Sequence, residues 1–96
     1  MGKIIYLVFI VFFSLNVFAQ NTLKTIIREE NTKEPLAGVS VLLKNTQNGT
    51  TSDEKGFAAL KNIPNGKQTI IFRSVRYREN EKNILFPQND TIRIFL

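Results

Sequence analysis

From Val39 to Lys44 the chain alternates, with Val39, Val41 and Leu43 on one side and Ser40, Leu42 and Lys44 on the other. A period of two puts successive side chains on opposite faces and marks a half-buried strand. Turn-forming residues bracket it, Glu34 to Gly38 before and Asn45 to Gly49 after. The alternation returns in Lys67 to Ser74, where Ile70 and Phe72 share a face against Thr69, Ile71 and Arg73. It returns again in Thr91 to Leu96, with Ile92, Ile94 and Leu96 inward and Thr91, Arg93 and Phe95 outward. Leu23 to Arg28, Thr50 to Ser52, Phe57 to Lys61 and a less regular Lys82 to Phe86 read as further strands, rich in β-branched and aromatic residues. In Phe57 to Lys61, Ala58 and Leu60 share a face, which leaves Phe57 outward.

Between these runs lie Asn48-Gly49, Asp53 to Gly56, Pro64-Asn65-Gly66 and Pro87 to Asp90, all turn signals. Asn48-Gly49 is expected to supply the positive φ of a tight connection. Pro35, with fixed φ and no amide donor, suits the approach to a strand rather than its interior. Nothing after residue 20 has helical periodicity. Short strands with frequent turns predict an all-β fold, a seven-stranded antiparallel-type β-sandwich. The expected core is Ile27, Leu36, Val39, Val41, Leu43, Leu60, Ile63, Ile70, Phe72, Tyr77, Ile84, Ile92, Ile94 and Leu96. So small a core predicts marginal stability.

Residues 1–19 do not fit that pattern. Lys3 precedes an apolar run from Ile4 to Leu15, and Val17-Phe18-Ala19 precedes Gln20. A basic start, a short apolar stretch and a small residue at the cut site describe a secretory signal peptide cleaved after Ala19. A spanning helix needs about 20 apolar residues, more than this run offers. The expectation is export to the periplasm, the outer membrane or beyond, with no membrane span after cleavage and residues 20–96 left as a single domain. No Cys stands near the cut to take a lipid.

The net charge is +5, and +4 without Lys3. That suits a solvated surface with some bias toward anionic partners. Arg73, Arg76, Arg78 and Lys82 come nearest to a basic tract. On a strand Arg76 and Arg78 share a side while Arg73 takes the other, so they read as a solvated face and no nucleic-acid partner is expected. The chain has no Cys and no His, which excludes disulfides, thiolate nucleophiles and histidine-based acid–base or zinc chemistry. Asp53-x-x-Gly56 lacks the alternating oxygen ligands and distal Glu of a calcium loop. Glu29-Glu30 and Glu79/Glu81 sit in polar, exposed contexts with no pocket implied. No catalytic, cofactor-binding or metal-binding residue is assigned, no cofactor is expected, and the chain reads as a non-enzyme.

Several motif pieces occur in one order: Thr32-x-Glu34-Pro35-Leu36-Ala37-Gly38-Val39-x-Val41, Thr46-x-x-Gly49-Thr50-x-Ser52-Asp53-x-x-Gly56, Pro64-x-Gly66-Lys67-x-Thr69-Ile70-x-Phe72 and Ser74-Val75-x-Tyr77. Over residues 23–96 the chain resembles the carboxypeptidase regulatory-like domain. The resemblance implies a prealbumin-like (Ig-like) sandwich, of the kind found at the N-terminus of TonB-dependent outer-membrane receptors in Bacteroidetes-type bacteria. In that frame Gly38 admits a close entry into the sheet, Gly49 and Gly56 permit tight turns, and Tyr77 plugs one end of the core with its hydroxyl bonded to backbone. Departures stand at Thr25 and Arg76, where the family usually has Gly, at Ala58, where an aromatic is usual, and at Lys82, where an apolar residue is usual. A prealbumin-like hydrolase of purine catabolism relies on His, which this chain lacks. Asn48-Gly49-Thr50 and Asn89-Asp90-Thr91 read as incidental sequons, while Asp90-Thr91-Ile92 resembles a Bacteroidetes O-glycosylation pattern.

The function expected from this resemblance is a non-catalytic exported module with an accessory or protein-interaction role in the cell envelope. Its partner would be an outer-membrane or periplasmic protein, met at an exposed strand edge or at the turns near Asn48 and Asn65. Two alternatives stay open. One is a carbohydrate-binding module with a glycan partner, using Phe57 and Phe95, the aromatics expected to be exposed. The other is a truncated fragment of a larger outer-membrane receptor, motivated by a sequence that stops at Leu96.

Overall fold

The alternating segments close into two sheets in the computed structural model, which describes residues 20–96. The strands are β1 (Asn21–Arg28), β2 (Ser40–Leu43), β3 (Gly49–Thr51), β4 (Phe57–Ile63), β5 (Gly66–Arg73), β6 (Asn80–Phe86) and β7 (Ile92–Phe95). One sheet has the order β4-β1-β7 and the other β3-β2-β5-β6. The expected sandwich is what forms, with one pair differing from antiparallel: β7 runs parallel to β1, Thr25 opposite Ile92 and Ile27 opposite Ile94. Parallel neighbours need a long crossover. Here the crossover takes in the whole second sheet and β4. The segment read as a signal peptide lies outside the described residues.

The inward positions of both sheets form one buried cluster. Leu23, Ile27 and Ile94 of the first sheet face Val41, Ile70 and Phe72 of the second, all within 1% of full burial. Leu36, Ile92 and Leu96 pack at its rim, partly buried. Tyr77 does not plug the core as the resemblance implied. It is half-buried and outside the cluster, and among the described residues its hydroxyl has no hydrogen-bond partner. The segment from Ser74 to Glu79 is irregular, so no strand register aims Tyr77 inward.

Leu23, Ala58 and Phe86 are buried although sequence did not place them in the core. Leu23 is in phase with Thr25 and Ile27 along β1, which begins at Asn21 and so holds Leu23 well inside the strand. Phe86 follows Ile84 in phase along β6. Ala58 lies directly opposite Thr25, which is also fully buried and donates its hydroxyl to the Ala58 carbonyl at 3.1 Å. Directly opposed residues project on the same face about 5 Å apart. Two departures from the family pattern are thus one exchange: a larger residue where Gly is usual faces a smaller one where an aromatic is usual.

The turns also differ in part from expectation. Gly49 does not take positive φ; in the β2–β3 connection Asn45 does, at 65°. Gly49 is instead tight against the Leu42 side chain, which an added Cβ would strike. Gly38 has φ 76° with open space around it, so conformation and not close approach requires it. Gly56 combines both demands: φ is 78° and a Cβ would run into the Ile27 carbonyl oxygen.

Two polar side chains clip these turns to the sheets. Ser52, 5% exposed, accepts from the Val39 N–H at 2.9 Å and donates to the Leu36 carbonyl at 2.7 Å. Asp53 Oδ1 accepts from the Lys55 and Phe57 amides at 2.9 and 3.0 Å, which shapes the turn into β4.

Candidate functional site

Among the described residues no group of three or more His, Cys, Asp or Glu comes together. Of the carboxylates weighed from sequence, Glu29, Glu79, Glu81 and Asp53 are engaged, while Glu30 is bonded through its main chain. Glu29 accepts from the Thr32 hydroxyl at 2.9 Å, Glu79 pairs with Arg73, and Glu81 pairs with Lys44 at 3.4 Å. Asp53 is committed to its turn. A shallow depression of about 310 Å³ lies between the start of β6 and the end of β7, lined by Tyr77, Glu79, Phe95 and Leu96. It holds no pairing of a nucleophile with a base, so the surface to consider is one of edges and faces.

Sequence pointed to a strand edge or to the turns near Asn48 and Asn65. The turns are occupied by the fold itself. Asn48 Nδ2 donates to the Lys61 carbonyl at 2.7 Å, tying the β2–β3 turn to β4 of the opposite sheet. Asn65 Oδ1 accepts from Asn21 Nδ2 at 2.8 Å, tying the β4–β5 turn to the start of β1.

Of the four edge strands, β3 and β7 are only three and four residues long, and β4 is tied to the β2–β3 turn through the Lys61 carbonyl. β6, seven residues long, is hydrogen-bonded only to β5. Which of its residues face outward follows from a bond on the far side of β5. The Thr69 carbonyl accepts from the Lys44 amide at 3.0 Å, so Thr69 directs its main chain toward β2. Its partner Asn83 is then a non-hydrogen-bonded pair and directs N–H and C=O away from β5. By alternation Glu81 and Leu85 do the same. Leu85 is 69% exposed, an apolar side chain beside that open edge.

The outer face of the first sheet carries the exposed aromatics, as alternation predicted. Phe57 and Phe95 are 39% and 41% exposed. They flank β1: Phe57 is opposite Ile26, and Phe95 is opposite Arg28. Lys33 Nζ stands 4.7 Å from the centroid of the Phe95 ring, a cation–π contact that partly covers it. Of the basic residues near β6, Arg73 is taken up by Glu79, with Nε 2.8 Å from Oε1.

A family model, the CarboxypepD_reg-like domain, matches residues 25–96. The chain belongs to this family. No curated protein matches it. Among solved structures, this CarboxypepD_reg-like domain is similar to one chain of the Coh3ScaB–XDoc_M2ScaA complex, a C-terminal interface mutant of the type II cohesin–X-dockerin complex from Acetivibrio cellulolyticus. The TM-score is 0.64 at 20% identity, over 76% of this chain and 52% of that one. The domain thus spans about half the length of the solved chain, and the likeness is one of fold.

Proposed function

We propose that this CarboxypepD_reg-like domain is a non-catalytic protein-interaction module of the bacterial cell envelope. Residues 1–19 export it, and an outer-membrane or periplasmic protein adds a strand to the open edge of β6. The observation that carries this reading is the row of outward-directed main-chain groups at Glu81, Asn83 and Leu85. An extended partner segment gains affinity from such groups and specificity from alternate side-chain contacts. Glu81 and Lys82 on the same edge work against indiscriminate pairing between copies of the chain. The similar solved chain is part of a cohesin–X-dockerin complex, which supports an assembly role for a sandwich of this kind.

The test is a photo-crosslinker at Leu85 in the exported protein, in its native envelope. A discrete adduct is expected with wild type and with Asn83→Ala, which removes only the side-chain bond to Thr69. Asn83→Pro removes one outward donor without touching the β5–β6 ladder and should abolish the adduct. An adduct that persists in Asn83→Pro defeats edge pairing. Mass spectrometry of the exported product should find Gln20 as its first residue. The carbohydrate reading draws on the exposure of Phe57 and Phe95. A glycan-array signal lost in Phe57→Ala and Phe95→Ala would favour it over the protein partner.

A further inference from the structure

The two sheets treat charge differently. At the four-stranded sheet two of the cations meet carboxylates: the ion pairs found among the described residues, Lys44–Glu81 and Arg73–Glu79, both lie there. The three strands of the other sheet contain Lys24, Arg28, Lys61 and Arg93 and no Asp or Glu. All four cations are exposed, and all four occupy outward positions of their strands. The register sets them around an apolar centre: Ile26 has Phe57 on one side and Arg93 on the other, with Lys24 and Arg28 the outward positions either way along β1. These neighbours lie about 5 Å apart across strands and about 7 Å apart along them. Lys33 over Phe95 adds a fifth cation at the margin, in a turn that also carries Glu29, Glu30 and Glu34.

We propose that this face, independently of the β6 edge, docks the domain on an anionic lipid bilayer, with Lys24, Arg28, Lys61 and Arg93 against headgroup phosphates and Phe57, Ile26 and Phe95 against the interfacial layer. Apart from Thr22 and Asn62, the exposed side chains of its strands are cationic or apolar, so it offers many donors and few acceptors. Sugar hydroxyls and protein surfaces of mixed polarity present donors as well as acceptors. Phosphate oxygens are acceptors only, and a headgroup layer needs no fixed spacing of its partners. Long lysines and arginines on a broad sheet face, of which Arg28 also donates to the Lys33 carbonyl at 3.0 Å, suit such a layer better than a matched binding site. Each cation near an anionic surface contributes a modest attraction that adds over the face.

The test uses the exported protein, its N-terminus defined by mass spectrometry, and vesicles of phosphatidylcholine with or without about a quarter phosphatidylglycerol. Co-sedimentation is expected with the anionic vesicles alone, and loss of binding at about 0.5 M salt, where screening is short. The double reversal Lys24→Glu/Arg93→Glu should weaken binding by roughly tenfold or more. Lys67→Glu/Lys82→Glu changes net charge equally on the other sheet and should stay within about twofold, because surface attraction acts face by face. Asn83→Pro should bind vesicles as wild type does, which keeps this outcome separate from edge pairing. Absence of binding to anionic vesicles, or equal weakening by the two double reversals, overturns the proposal. So does a Leu85 cross-link that the first reversal abolishes while vesicle binding is unchanged, since the face would then belong to a protein.

Discussion

Ser52 and Gly56 show how single positions hold the turns of this sandwich. Without the Ser52 hydroxyl the Val39 amide is left buried and unpaired. An unsatisfied buried donor costs about 1–3 kcal/mol, so Ser52→Ala should lower unfolding stability by about 2 kcal/mol in urea titrations, with an unchanged slope. Gly56 and Gly38 have nearly the same φ but different surroundings. Gly38→Ala should cost about 1 kcal/mol for the left-handed backbone alone. Gly56→Ala adds a collision with the Ile27 carbonyl and should cost clearly more. Equal midpoints for the two variants would mean the close approach relaxes without penalty. The glycines were legible in the sequence as turn markers. The bonds of Ser52 were not, because alternation reports which face a residue takes and nothing about a backbone amide 13 positions away.

At the scale of elements, all seven strands were readable and their limits moved by two residues or fewer. Strand pairing was not readable. That β1 has β4 and β7 as neighbours is set by closure of the two layers, and no local signal in Leu23 to Arg28 states it. The consequence is plainest at Thr25 and Ala58, which looked like two unrelated departures from the family pattern until the register set them face to face. Their exchange of volume predicts a coupling. Ala58→Phe alone should overpack the β1–β4 pair by about 1–3 kcal/mol. Thr25→Gly alone should destabilise by leaving a void and a more flexible strand. Together they should cost less than the sum of the singles by about 1 kcal/mol or more, as residues in contact do in a double-mutant cycle. Strict additivity would show that the two positions do not share one space.

Over the whole molecule, the exposed aromatics of the candidate face were legible, because Phe57 and Phe95 alternate outward. Their grouping with Lys24, Arg28 and Arg93 was not, since it depends on β4 and β7 meeting across β1. The same architecture makes the two sides of the sandwich unequal. On one side Asn48 reaches from the β2–β3 turn to the Lys61 carbonyl and joins the sheets. On the other, β6 and β7 leave a depression lined by a half-buried Tyr77, beside a fully exposed Val75. Opening should therefore begin at β6 and spread toward β2. Native-state hydrogen exchange can follow this with chosen amides. The Leu43 amide donates to the Asn48 carbonyl, so Leu42 faces β5 and pairs with Ile71 inside the sheet. Lys82 and Ile84 donate to β5 from the edge, since Asn83 between them faces outward. The amides of Leu42 and Ile71 should exchange near the global unfolding limit, and those of Lys82 and Ile84 faster, through a smaller opening. Asn48→Ala should raise exchange in β3 and β4 while leaving that order intact. Equal protection in β6 and β2 would mean that the sandwich opens only as a unit, and that the β6 edge is as firmly held as its centre.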